Sequence, residues 1–144
     1  MEQNLVGTAY AIYSETDKSL TFIRATEAPQ RGQILNGKVI TEVYTGFETE
    51  IYYNYYKVPW SLQRDHILKV VVRDSIRPIS TSMWFNGFTK CTEMNLAKLD
   101  TSKVKHMDYM FGQCTSLKSV DLRHFDMNNV KSNSGMFFRT NLFN

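Results

Sequence analysis

Residues 100–122, DTSKVKHMDYMFGQCTSLKSVDL, are the stretch on which the fold is read, because their parts return at a fixed distance. Trp84-Phe85, Met110-Phe111 and Met136-Phe137 are successively 26 positions apart, as are Leu96 and Leu122, Asp100 and Asp126, and Val104 and Val130. Laid without a gap on residues 110–144, residues 84–118 share eight identities in 35 positions. A period between about 20 and 50 residues marks architectures in which one unit stacks on the next.

Within a unit, Leu117, Val120 and Leu122 follow the L-x-x-L-x-L pattern of a leucine-rich-repeat strand, whose alternate side chains point into the stack. Leu99 and Phe125, with Ser75 as the equivalent one unit earlier, follow three positions later, where the chain turns. Val104, Met107, Met110, Phe111, Cys114 and Leu117 recur every three or four residues, a spacing that predicts a helix with Thr101 or Ser102 as its N-cap. The expected unit is strand, turn and helix. Working backwards, Trp60 in the register of Trp84 sets Ile67 against Cys91, Val70 against Met94 and Val72 against Leu96, in a unit of 24 residues shortened near Pro78.

The expected fold class is an α+β or α/β solenoid, a short leucine-rich-repeat stack with units at 60–83, 84–109 and 110–135 and a partial one at 136–144. Phe137, Phe138, Leu142 and Phe143 form its last apolar face, either an abbreviated cap or a cut in a longer protein. Residues 1–59 read as a β-rich cap continuous with the repeats. AYAIYS (9–14) and LTFIR (20–24) predict a hairpin around ETDKS, the Asn36-Gly37 pair is turn chemistry, and KVITEVYT (38–45) alternates as one half-buried strand. Phe47, Tyr52, Tyr53, Tyr55, Tyr56 and Trp60 then crowd into a short span. These rings can seal the open end of the stack, or those of Tyr52, Tyr53, Tyr55 and Tyr56 can form a patch for a partner.

Composition narrows the class of function. The chain of 144 residues is 42% hydrophobic and 22% charged, neither disordered nor fibrous. Its net charge of +3 sits in the repeats: residues 1–83 carry nine basic against nine acidic side chains, residues 84–144 eight against five. Charge this thinly spread is far from the basic footprint of a nucleic-acid binder, so nucleic acid is an unlikely partner. No apolar run reaches the ~18 residues of a membrane span. The first ten residues lack the basic and apolar regions of a signal peptide, which points to the cytoplasm or to a leader already removed.

The quoted stretch, together with FDMNNVKSNSGMF (125–137), resembles the repeats of BspA-type leucine-rich-repeat proteins, bacterial surface proteins built on MF-x-x-C-x-x-L-x-x-L-D-L-x-x-F-D-T-S-x-V. The N-terminal block through KVITEVYTGFE and VPW is similar to the leader that precedes such repeats. The resemblance implies a non-enzymatic, secreted or cell-surface interaction protein, in some members linked to adhesion.

No catalytic, cofactor or metal site is expected. Cys91 and Cys114 fall on apolar repeat positions and read as buried structural thiols, with a disulfide between neighbouring units as a further option. His106 and Asp108, and His124 and Asp126, lie two apart without a Ser or Cys at a triad-like spacing, and the glycines make no phosphate loop. Binding is the better expectation. Between the inward strand residues the outward ones are Lys69 and Val71, Glu93 and Asn95, Ser119 and Asp121, flanked by Arg73, Lys98, Arg123 and His124. Stacking would align them into one face for a protein partner. The function expected is an adhesin-like surface module, the alternative a small intracellular protein, of phage or effector type, that occludes an enzyme of its host.

Overall fold

Aromatic and β-branched residues on either side of a polar turn build the first hairpin of the computed structural model, which describes residues 5–142. Strand β1 (Thr8–Ser14) runs antiparallel to β2 (Ser19–Ala25), with Ala11 opposite Phe22. Asn36 and Gly37 take φ of 51° and 81°, the two positive values that the tight turn between β3 (Ile34–Leu35) and β4 (Lys38–Val39) requires. The single strand expected over 38–45 is divided, because the chain changes partner. The Ile40 amide donates to Gln33 at 2.8 Å and the Thr41 amide to Tyr13 at 2.9 Å, and then β5 (Glu42–Thr45) runs antiparallel to β1. Ile40 closes a small core with Ile12 and Ile23.

On its other edge β2 takes a parallel partner, β6 (Lys69–Val72), which in turn pairs in parallel with β7 (Glu93–Asn95). The result is one mixed five-stranded sheet in the order β5-β1-β2-β6-β7. This corrects the expected architecture. The N-terminal strands share a sheet with the strands that follow, and no leucine-rich-repeat stack forms for them to cap. Among the described residues the helical structure is three short 3-10 turns, at Phe47–Thr49, Tyr55–Lys57 and Ser61–Gln63, so the strand-turn-helix solenoid does not form.

The segments expected as helices are runs of successive turns, at 81–88, 107–114 and 133–140, called rungs below. In the second rung the Met110, Gly112 and Cys114 amides each donate to the carbonyl three residues back, from Met107, Tyr109 and Phe111. The alternate amides leave the rung. Those of Met107, Tyr109, Phe111 and Gln113 donate to carbonyls of Ser132, Ser134, Met136 and Phe138 at 2.7–3.0 Å, and those of Thr81, Met83, Phe85 and Gly87 donate likewise to the second rung. An α-helix needs every interior amide for its own bond to residue i−4, so amides shared with a neighbour exclude it. Left-handed residues make the pattern: φ is positive at Met83, Tyr109 and Gly135, and again at Gly87, Gln113 and Arg139. Parallel bridges join Ser80 to His106 and His106 to Ser132, so the 26-residue spacing is present in backbone pairing. Ile76 rather than Ser75 bridges Leu99, one residue off the expected corner.

The main core runs unbroken from the sheet into the rungs. Trp60 and Trp84 meet edge to face at 5.4 Å, Phe22 stacks on Trp84 at 5.5 Å, and Phe85, Phe111 and Phe137 follow one another at 5.8 and 5.6 Å. Such pairs add about 0.5–1.5 kcal/mol each to the burial of their area. The core thins in the direction of the last rung. Leu96, Leu99, Val104 and Phe111 are buried, while Leu122, Phe125, Val130 and Phe137, one repeat later, are half-buried. Phe143, expected on the last apolar face, lies outside the described residues.

Candidate binding surfaces

The parallel register of β6 and β7 sets Lys69 beside Glu93 and Val71 beside Asn95, so these outward residues do share a face. They are not equally available. Lys69 Nζ lies 3.3 Å from Asp17 Oδ2, which Lys38 also holds at 2.7 Å. Burial alone would raise the Asp17 carboxyl, but hydrogen bonds from Lys38, Ser19 and Lys69 outweigh it and bring it down to about 2. Val71 is half-buried beside the β3–β4 turn, where Thr21, Leu35, Asn36, Lys38 and Arg73 enclose about 110 Å³ with it. Arg73 is tied to Asp74 at 2.9 Å.

Glu93, Asn95 and Lys98 are exposed, as are Ser119, Asp121, Arg123 and His124. The third row is not joined to the second as a strand, and β7 is the last strand of the sheet among the described residues. Between the two rows Met94, Asn95, Leu96, Ala97, Asp121 and His124 line a slot of about 200 Å³. Asp121 and Arg123 pair with each other at 2.8 Å in full solvent, and this guanidinium lowers the Asp121 carboxyl well below the ordinary range. The single six-residue face thus becomes a partly covered half and an open half with a slot beside it.

The tyrosines divide as well. Phe47 and Trp60 are wholly buried, and half-buried Tyr52 packs on the core, where burial raises its phenol to about 12. Tyr53, Tyr55 and Tyr56 point outward at 76%, 42% and 60% exposure, joined by Leu62 at 82%, a residue that the sequence did not single out. They stand on or beside the short turns at Tyr55–Lys57 and Ser61–Gln63. Tyr55 meets Tyr56 edge to face at 5.7 Å and carries the Arg64 guanidinium 4.8 Å above its ring. Beside it Tyr55, Arg64, Asp65, Asn86, Thr89 and Gln113 line a polar recess of about 360 Å³.

The thiols, Asp126 and one His–Ser–Asp cluster are tied into the scaffold. Cys91 and Cys114 are free and buried, which removes the disulfide option, and burial pushes both thiols up to about 12. Asp126 receives the Asn128 amide at 2.9 Å, a local turn bond. The structure does assemble one constellation that sequence reading missed. His106 Nδ1 lies 2.7 Å from Ser132 Oγ, and Ser132 Oγ donates to Asp108 Oδ2 at 2.6 Å. The 26-residue period could have found it, since Ser132 stands one repeat beyond His106. Its wiring is not that of a nucleophile. A catalytic serine gives its proton to the imidazole and the carboxylate holds the far ring nitrogen. Here the serine proton goes to Asp108, so Nδ1 must be the donor to Ser132, and Asp108 also accepts the Ser134 amide at 2.7 Å. The cluster ties two rungs together.

No group of three or more His, Cys, Asp or Glu suited to a metal occurs among the described residues, and no helix there is long and apolar enough to cross a membrane. Residues 76–144 match a family model described as a Mycoplasma protein of unknown function, DUF285. No leucine-rich-repeat or BspA family model matches, and with the mixed sheet described above this overturns the resemblance drawn from the sequence. No curated protein matches the chain, and no solved structure does.

Proposed function

We propose that the chain is a non-enzymatic module that binds a protein partner, and that the outward tyrosine patch is its main contact. The observation that supports this is the exposure of Tyr53, Tyr56 and Leu62 within a segment whose Phe47 and Trp60 rings are fully buried. Exposed aromatic and aliphatic groups beside a polar recess give the two components of an interface centre, rigid apolar area and nearby hydrogen-bonding groups. The thiols are committed to the interior and the His106–Ser132–Asp108 cluster to the rungs. Both settings drawn from the sequence, adhesion at a surface and occlusion of an enzyme inside a cell, remain forms of this proposal, and the partner's identity separates them.

The test is site-specific photo-crosslinking in an extract of the cells that make the protein. A crosslinking phenylalanine analogue at position 56 should give a discrete hetero-adduct that the same analogue at exposed position 27 does not. Combining Tyr53→Ser, Tyr56→Ser and Leu62→Ser should abolish the adduct with Tm unchanged, as expected where each anchor is worth about 2 kcal/mol or roughly thirtyfold. Charge reversal at Glu93, Asp121 and Arg123 should leave it intact. Loss of the adduct in that second variant alone would move the contact to the sheet face and overturn the assignment.

A further inference from the structure

Arg24, Arg31, Arg73, Arg77 and Arg123 each lie against a carboxylate. Arg64 has none among the described residues, although it is half-buried. Its side chain is nevertheless held in three ways. Nη1 donates to the Ser61 carbonyl at 2.9 Å, the Tyr55 ring lies 4.8 Å from the guanidinium carbon, and the stem rests over Gly87, where an added Cβ would come within 3.1 Å of Cδ. Backbone conformation does not by itself require that glycine. Gly87, Gln113 and Arg139 occupy the same slot of successive rungs, and the last two keep side chains at φ of 60° and 54°. Glycine in the first rung is the choice that leaves room for Arg64. Its Nε and Nη2 have no acceptor among the described residues, and the side chain lines the recess of about 360 Å³ that it shares with Asp65, Asn86, Thr89 and Gln113.

We propose that this recess is the socket for one carboxylate of the partner protein, an aspartate or glutamate side chain whose two oxygens take the open Nε and Nη2 donors of Arg64. The inference rests on the reading of the tyrosine patch as the protein-binding surface, since Tyr55 belongs to both, and it adds the chemistry that the partner must bring. A planar fork already fixed by stacking matches a planar carboxylate and needs no further ordering to receive it. Charge sets the kind of anion. The recess holds one guanidinium and one acid, Asp65, which lies 3.4 Å from His66 Nε2. That is too little positive charge for a doubly charged phosphate, whose sites bring further cations or a row of backbone amides. The carboxylate is assigned to a side chain because folded proteins expose many acidic side chains and a single C-terminus.

The test uses the full-length chain with the crosslinking phenylalanine analogue at position 56, in the same cell extract. Arg64→Gln should lower the yield of the hetero-adduct about tenfold or more with Tm unchanged. Asp65→Asn, at an exposed side chain, should raise it roughly twofold, because it removes a like charge from beside the incoming one. In Arg64→Lys a carbodiimide should join the new amine to an acidic side chain of the same protein, a link that the native guanidinium cannot form and that mass spectrometry locates. An adduct of unchanged yield in Arg64→Gln would overturn the socket and leave the tyrosine patch standing. A lower yield in Asp65→Asn, the mark of a cationic contact, would overturn it too, as would a link to the C-terminal carboxyl of the partner. No adduct from the chain that keeps Arg64 would overturn both readings.

Discussion

Four residues other than glycine hold left-handed backbone in the rungs, Met83, Tyr109, Gln113 and Arg139, at φ between 54° and 67°. A side chain there carries a strain of about 1–2 kcal/mol that glycine avoids, against about 0.5–1 kcal/mol of extra chain entropy lost by glycine. Gln113→Gly is therefore expected to leave stability unchanged or raise it by up to about 1 kcal/mol, read as the shift of a urea midpoint. Gly135→Ala goes the other way. It adds left-handed strain and drives a Cβ into the Tyr109 ring, so a loss of about 1–3 kcal/mol is expected by the same measurement. The thiols give a second residue-scale test. With Cys91 and Cys114 at about 12, only about one part in ten thousand is thiolate near pH 8, and both side chains are buried. A disulfide reagent should find no fast-reacting thiol in the native chain and both after denaturation.

At the scale of elements, the cost of removing a leucine should follow the thinning of the core. Leu96→Ala, in a fully packed site, is expected to cost about 2–5 kcal/mol, whereas Leu122→Ala, half-buried one repeat later, should cost under about 2 kcal/mol in the same urea unfolding series. Asp17 joins three elements through Ser19, Lys38 and Lys69, and its carboxyl is lowered from 3.8 to about 2. A depressed carboxyl adds stability above its unfolded value and loses it as pH falls through the folded one. The contribution, about 1–2 kcal/mol, should be present at neutral pH and vanish between about pH 4 and pH 2. Asp17→Asn should lower stability at pH 7 and flatten that part of the acid profile.

The 26-residue spacing and the hairpin at 9–24 could be read because both follow from which side chains are apolar. The rungs could not. Apolar residues every three or four positions suit a helix and a chain of turns alike, and a left-handed Met83, Tyr109 or Arg139 leaves no mark in the sequence. Only Gly87 and Gly135, one in each of the two left-handed slots, hinted at it. The candidate surface was legible to the same degree. Aromatic density at 52–56 was plain, but which rings face outward depends on two 3-10 turns that carry no period. Strand alternation sets Lys69 and Val71 against buried Val70 and Val72, while the partial cover of that row by the β3–β4 turn was a long-range event.

For the whole molecule, the parallel pairing of β2 with β6 matters most, since it fuses the N-terminal strands and the rungs around one main core. Unfolding followed by far-ultraviolet dichroism and by tryptophan fluorescence should therefore give a single coincident transition, because Trp60 and Trp84 lie where sheet and rungs meet. Two separated transitions would mean that the sheet stands without the rungs. The backbone bonds between the rungs also order events during synthesis. Each rung's alternate amides find their acceptors only in chain made later, while its carbonyls answer donors made earlier. The sheet that emerges first is thus the seat on which the first rung settles, and every later rung completes the one before it. Assembly can therefore follow the chain from amino to carboxyl end, in the same sense as translation.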